Sequence, residues 1–218
     1  MTHAGPLQWL TGAGWLVLVG GGAWQGEEGE IDDRILARAD FARPVAFLPT
    51  AGGSLAAGEA LLDLYAGLGG PRGAVLPILQ PTDAWDDENR RLLAEAGVIF
   101  LGDGDGLALA RTLQDTPALA AMAQAFTDGA LIVGLGAAAA VLGEWIAAME
   151  PEPGWGWVRG VIAPSFVSSV QYPYLQAALR SRPGLLGLGI PQRTALALGP
   201  QGEVETWGLG EVTVVVPR

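Results

Sequence analysis

Five short runs of consecutive apolar residues punctuate the first two-thirds of the chain: 15–21 (WLVLVGG), 45–51 (VAFLPTA), 73–79 (GAVLPIL), 98–102 (VIFLG) and 130–134 (ALIVG). Each is continuous rather than alternating with polar residues. That is the pattern of strands buried on both faces, as in parallel sheets covered by helices. Segments with helical spacing separate them, near 30–40, 54–68, 86–96, 106–126 and 137–149; in the second, Leu61, Leu62, Tyr65 and Leu68 recur at helical intervals. Acidic residues gather at helix starts, Glu27, Glu28, Glu30 and Asp32 at the first and Asp83, Asp86, Asp87 and Glu88 at the third, where the helix dipole favours negative charge. Repeated β–α alternation predicts an α/β fold built on a doubly wound, mostly parallel sheet. Beyond Gly184 the pattern changes to LLGLGI, TALAL, VETWG and VTVVV with tight glycine turns, which predicts antiparallel C-terminal strands. No linker, repeat or low-complexity stretch interrupts 1–218, so one domain is expected.

Composition narrows the chemistry. With 218 residues, half of them hydrophobic and 16% charged, the chain has ample material for a core. Its net charge is −11, and all 12 basic residues are Arg, which argues against nucleic acid and anionic membranes as partners. There is no Cys, so disulfides, thiolate metal sites and cysteine nucleophiles are excluded. The one His is His3, in a leader read as flexible, which removes most His-dependent acid–base and metal chemistry. No Arg precedes Arg34, so the apolar run 15–22 lacks the charged start of a signal peptide. The longest apolar stretch, 130–143, is too short to span a bilayer. A cytoplasmic protein without cofactor or metal is the expectation.

In an open parallel sheet, ligands bind beyond the carboxyl ends of the strands. The strand ends to inspect are 20–24, 50–54, 79–82, 102–106 and 134–138, and together they predict a cleft lined by Gly21, Gly22, Thr50, Gly102, Asp103, Asp105, Gly134, Gly136 and Ala137. Each glycine is equally well explained as a sharp backbone turn. Within 130–143, Gly134, Gly136 and Ala139 fit G-x-G-x-x-A, but they follow the fifth strand rather than the first, so the dinucleotide reading is weak. The same strand–turn–helix also fits a nucleophile elbow, whose apex residue projects into the cleft. The apex here is Gly136, which has no side chain.

Taken in order, LVLVGGGAW, FLPTAGGS, AEAGVIFLGDGDGLAL, LIVGLGAAAAVLG, GVIAPSF and LLGLGIPQRTALAL resemble the dipeptidase E and cyanophycinase family of serine peptidases over nearly the whole chain. The resemblance implies a flavodoxin-like, class I glutamine amidotransferase-like fold. Members carry G-T-S-A-G-A at the elbow, with Ser as nucleophile; the matching stretch here is Gly134-Leu135-Gly136-Ala137-Ala138-Ala139. Their acid–Gln–His–Phe run corresponds to Ala163-Pro164-Ser165-Phe166, which puts Ser165 in the place of the catalytic His. An acidic pair that follows the next strand in the family, one member a candidate for the triad, is replaced by Pro191 and Gln192. The family's G-G-D-Q loop, linked with the oxyanion hole, corresponds to Gly102-Asp103-Gly104-Asp105. The resemblance therefore implies that Gly136, Ser165 and Gln192 are three vacated catalytic positions.

Acyl transfer by this route needs a nucleophile, a base and a group that orients the base. Losing a triad member leaves only about 10³–10⁴-fold catalysis over water. The expectation is a non-catalytic relative that binds a small acidic molecule or a peptide in the old cleft, with Ser165 and Ser169 lining it. The rival is a hydrolase using Ser165 or Ser169 as nucleophile, assisted by Asp103 or by Glu144 within the helix after the elbow. Other features have plainer readings alongside. Ser168 and Ser169 suit a loop, while Thr50 and Ser54 suit helix capping. Asp103 and Asp105 are too few carboxylates for a hard cation. Arg159 and Arg193 could clamp a carboxylate, although pairing with surplus acids is commoner. Among eight Trp, most belong in the core; exposed ones, with Tyr172, Tyr174, Trp155 and Trp157 around the Ser165 loop, could support a homodimer.

Overall fold

The computed structural model describes residues 1–22, 30–148, 150–180 and 182–217, with His3 described by its backbone only. Glu27 and Glu28 of the first acidic helix start lie outside the described residues, as does Trp24 of the first strand end. The chain opens with a hairpin of β1 (Thr2–Ala4) and β2 (Leu7–Trp9). The leader carrying His3 is thus paired strand rather than the flexible segment expected. Trp9 anchors it: the side chain is fully buried and its Nε1 donates to Gly199 O at 3.0 Å.

The predicted alternation follows as β3 (Trp15–Val19), α1 (Glu30–Leu36), β4 (Val45–Leu48), α2 (Leu55–Gly67), β5 (Gly73–Val75), α3 (Asp87–Glu95), β6 (Val98–Leu101), α4 (Gly106–Leu113), α5 (Pro117–Thr127) and β7 (Leu131–Leu135). The remainder is α6 (Ala137–Val141), β8 (Gly143–Ile146), β9 (Glu152–Pro153), β10 (Val158–Pro164), α7 (Ser168–Arg180), β11 (Leu186–Ile190), β12 (Thr194–Leu198), β13 (Val204–Gly208) and β14 (Thr213–Val215). The fold is mixed α/β with parallel-dominated sheets. The principal sheet has the order β13-β12-β3-β7-β6-β4-β5, parallel from β3 to β5, with β12 and β13 antiparallel at one edge.

One doubly wound sheet does not account for the whole chain. A second seven-stranded sheet runs β1-β2-β10-β11-β14, with β8 and β9 beside β10. LLGLGI (β11) is parallel to β10 and antiparallel only to β14, so the C-terminal strands are not uniformly antiparallel. Side-chain alternation divides the interior into layers. Leu16, Leu18, Ile99, Leu101 and Ile132 face the core shared with the second sheet, whereas Val17, Val19, Val98, Phe100 and Val133 face the helices α1 and α2. On that outer side Tyr65 Oη donates to Asp32 Oδ1 at 2.6 Å. Burial pushes the Asp32 carboxyl above its ordinary range and, together with that neighbour's charge, pushes the Tyr65 phenol up as well. A third cluster, including Val161, Leu175, Leu179 and Val215, lies between the second sheet and α7.

Several boundaries depart from expectation for identifiable reasons. The 73–79 run pairs only as far as Val75, two residues before Pro77, which has no amide proton to give a ladder. The predicted helix 106–126 is two helices. Asp115 turns with φ +58°, and Thr116 then caps α5, accepting from Leu119 N at 3.3 Å with Pro117 in the first turn. The predicted helix 137–149 ends at Val141 and becomes β8. Gly143 makes this possible, since a Cβ there would stand 2.9 Å from Gly160 O of the neighbouring strand.

Candidate functional site

The site lies where the carboxyl ends of both sheets converge, and the end of β3 is its hub. Gly136 N donates to Val19 O at 3.0 Å, Ser165 N donates to Gly20 O at 2.7 Å, and Arg193 N donates to Gly21 O at 2.9 Å. Three backbone bonds thus draw together the turn after β7, the end of β10 and the crossing from β11 to β12. Gly21 is central: a Cβ placed there would stand 3.2 Å from Ser165 Oγ, 3.5 Å from Gly136 Cα and 3.8 Å from Asp103 Oδ2. Gly22 lies beside Gln192 and Arg193, 3.4 Å from each by the same measure. Gly136, Ser165 and Gln192, far apart in sequence, therefore gather around Gly21 and Gly22.

Gly136 has φ +50° and ψ −121°, a conformation that L side chains rarely adopt. The turn thus keeps the strained backbone of an elbow without a nucleophile at its apex. The space over the apex is filled by Asp103: a Cβ on Gly136 would fall inside that carboxyl group. Asp103 Oδ1 accepts from Ala137 N at 2.7 Å and from its neighbour Gly104 N at 2.8 Å. The amide following an elbow apex is the one suited to hold a developing oxyanion. Here it is already bonded to an internal carboxylate.

Ser165 also holds an unusual backbone, with φ +49°, and its Oγ donates to Gly20 O at 2.9 Å. The hydroxyl proton is directed at a carbonyl, which cannot act as a base. Gln192 is exposed in the crossing from Ile190 to Thr194. Asp105 caps α4, with Oδ1 accepting from Leu107 N at 2.9 Å and Ala108 N at 3.1 Å. Among the described residues, no group of three or more His, Asp or Glu side chains is arranged to hold a metal ion. Gly134 packs β7 against α6, because a Cβ would stand 2.9 Å from Ala139 Cα. Close strand–helix packing therefore accounts for Gly134 and Ala139 without a dinucleotide.

Other predicted residues are placed differently. Thr50 is buried and donates to Ile78 O at 2.7 Å, tying the end of β4 to the segment after β5 rather than capping a helix. Ser54 does cap α2, accepting from Ala57 N at 3.1 Å. Ser168 and Ser169 are exposed in the first turn of α7, not in a loop. Glu144 is on β8 rather than in a helix. Arg159 donates to Gln8 at 3.2 Å near the opposite end of β10, away from the cleft, whereas Arg193 borders it. Trp157 is buried and packs at a tilt against Trp155, with ring centroids 5.8 Å apart, so neither forms a large exposed surface; Trp85, in a 3-10 turn (Pro81–Trp85), is 60% exposed. The sequence reading missed the lodging of Asp103 in the elbow. Its one signal was an apex without volume beside a loop that carries two carboxylates.

Alongside the elbow is a cavity of about 560 Å³, bordered by Asp105, Leu107, Ala140, Ile146, Ile162 and Leu175, with Gln171 and Tyr174 at its α7 side. Gln171 is occupied locally: Nε2 donates to Ser165 O at 3.1 Å, and Oε1 accepts from Val167 N at 2.7 Å. Among the described residues, no helix is long and apolar enough to cross a membrane.

Comparison with known proteins agrees with this fold. A cyanophycinase from Synechococcus elongatus is 28% identical over 177 residues, covering 75% of this chain and 55% of that protein. A cyanophycinase from Trichormus variabilis is 27% identical over 222 residues, covering 92% of this chain and 73% of that protein. The chain therefore spans little more than half the length of the first of these relatives. A crystal structure of a peptidase from an acI-B1 Actinobacterium superposes with a TM-score of 0.73 at 22% identity, over 94% of this chain and 99% of that one, and shares the fold. The profile of peptidase family S51 matches residues 16–203, nearly the whole chain, and the protein belongs to that family.

Proposed function

We propose that this protein is a non-catalytic member of its family, a pseudoenzyme that holds a ligand in the peptidase cleft without cleaving it. The observation that carries this reading is the carboxylate of Asp103, lodged over Gly136 and bonded to Ala137 N at 2.7 Å. The nucleophile is missing, and the amide best placed to stabilise an oxyanion is occupied by a negative charge. No His or Lys compensates. The chain has no Lys, and its only His, His3, is in the N-terminal hairpin. The rival, a hydrolase using Ser165, needs an acceptor for the hydroxyl proton, yet that proton is directed at Gly20 O.

Of the ligands left open by the sequence, a peptide suits the cleft better than a small acidic molecule. Asp103 and Asp105 are both exposed at its mouth and would repel an anion. A fluorophosphonate probe, which labels activated serines, tests the assignment. The intact protein is expected to remain unlabelled at Ser165 and Ser169 under conditions that label an active serine peptidase to completion. Stoichiometric labelling of either residue contradicts it.

A further inference from the structure

The cavity next to the elbow has a chemical character of its own. Its walls are aliphatic, from Leu107, Ala140, Ile146, Ile162 and Leu175, with the ring of Tyr174 at the rim. At about 560 Å³ it falls within the range of pockets that enclose small organic ligands. Its charged border is Asp105, and no basic side chain lines it among the described residues. Capping α4 uses Asp105 Oδ1, which accepts both amide protons, and no described residue bonds Oδ2. Asp103, two positions earlier, is not part of the lining, because its carboxylate is lodged over Gly136 and bonded to Ala137 N; Asp105 is the carboxylate at the mouth.

An apolar chamber with an anionic mouth selects for a ligand of matching polarity. A carboxylate entering here would meet Asp105 with no cation to offset it, whereas an ammonium would find a charge-assisted hydrogen bond and leave its hydrocarbon to the chamber. We infer that this cavity binds a primary ammonium carried on a compact apolar body, with the nitrogen at Asp105 and the hydrocarbon between Leu107, Ile146, Ile162 and Leu175. The inference rests on the reading of the cleft as a binding site and specifies the ligand's chemistry. Two sources share that chemistry: a free apolar amine and the N-terminus of a peptide that begins with an apolar residue.

Isothermal titration calorimetry on the full chain, with four probes, tests it. 2-Phenylethylamine is expected to bind saturably, and phenylacetate, of similar shape and opposite charge, is not. Phe-Ala and N-acetyl-Phe-Ala distinguish the sources: binding of Phe-Ala lost on acetylation assigns the site to peptide N-termini as well, and binding of the amine alone assigns it to free amines. Asp105→Asn retains a capping oxygen and should weaken 2-phenylethylamine by about tenfold, the scale of one charge-assisted bond. Ala147→Leu fills the chamber from its partly exposed rim and should abolish binding. Equal or tighter binding of phenylacetate, absence of amine binding, or amine binding unchanged by Ala147→Leu overturns the inference. 2-Phenylethylamine has no peptide bond, so its result is independent of whether the protein cleaves peptides.

Discussion

Gly136→Ser is expected to lower the melting temperature by about 5–10 °C and to produce no peptidase activity. Two costs add. A side chain at φ +50° and ψ −121° costs on the order of 1–3 kcal/mol. The new Cβ also displaces the Asp103 carboxyl and breaks its bond to Ala137 N, which costs about 1 kcal/mol more. In a chain of this size each kcal/mol lowers the midpoint by about 2–4 °C. Combining Gly136→Ser with Asp103→Gly removes the collision but not the strain, so part of the loss should return. Activity should return in neither, because the Asp103 carboxylate is pushed off the apex in the first variant and removed in the second, and the chain's only His is His3, in the N-terminal hairpin. Differential scanning calorimetry and a peptide assay check both arms. A Gly136→Ser variant as stable as the parent would mean that Asp103 does not fill the elbow.

Gly20→Ala should be more damaging. A Cβ at residue 20 would collide with Pro191 O and stand 2.5 Å from Ile190 O, both backbone atoms with little freedom to move. Inserting one carbon into a packed interior costs roughly 1–3 kcal/mol, and more where the obstruction is backbone. The change also strikes the hub of the cleft, because Gly20 O accepts from both the amide and the hydroxyl of Ser165. Urea denaturation is expected to show a loss of about 3 kcal/mol or more, or failure to accumulate as soluble protein. Gly67→Ala is the control: nothing lies within 4 Å of a Cβ there, and its stability should change little. Equal stability of the Gly20 variant and this control would show that β3 and the 190–191 crossing are not in close contact.

Much of this architecture is legible in the sequence, because continuous apolar runs report burial on both faces wherever strands are long. β3, β4, β6 and β7 fall where WLVLV, VAFL, VIFL and LIVGL predict them. Ser54 and Asp86 cap their helices as short polar residues before a periodic segment do. The partition into two sheets is not legible, since a buried strand carries no mark of which sheet it joins. Ala-rich composition hid the early end of α6, where the deciding contact is between Gly143 and a strand fifteen residues away. α7 was obscured by polar residues and by Pro173, which supplies no amide for the helix. In the candidate site, sequence reached the missing groups but not what replaces them. Asp103 and Gly136 are separated by two helices and a strand, and only the folded chain sets one over the other.

The most direct test of the central claim is turnover. The purified protein would be incubated with Asp-X and β-aspartyl peptides, with a heat-denatured control, and products followed by mass spectrometry. An apex without a nucleophile, an oxyanion position taken by Asp103 and a serine hydroxyl bonded to a carbonyl predict no product above the control. Saturable cleavage that disappears on heating would contradict the account, because a cleft built this way would still be performing hydrolysis.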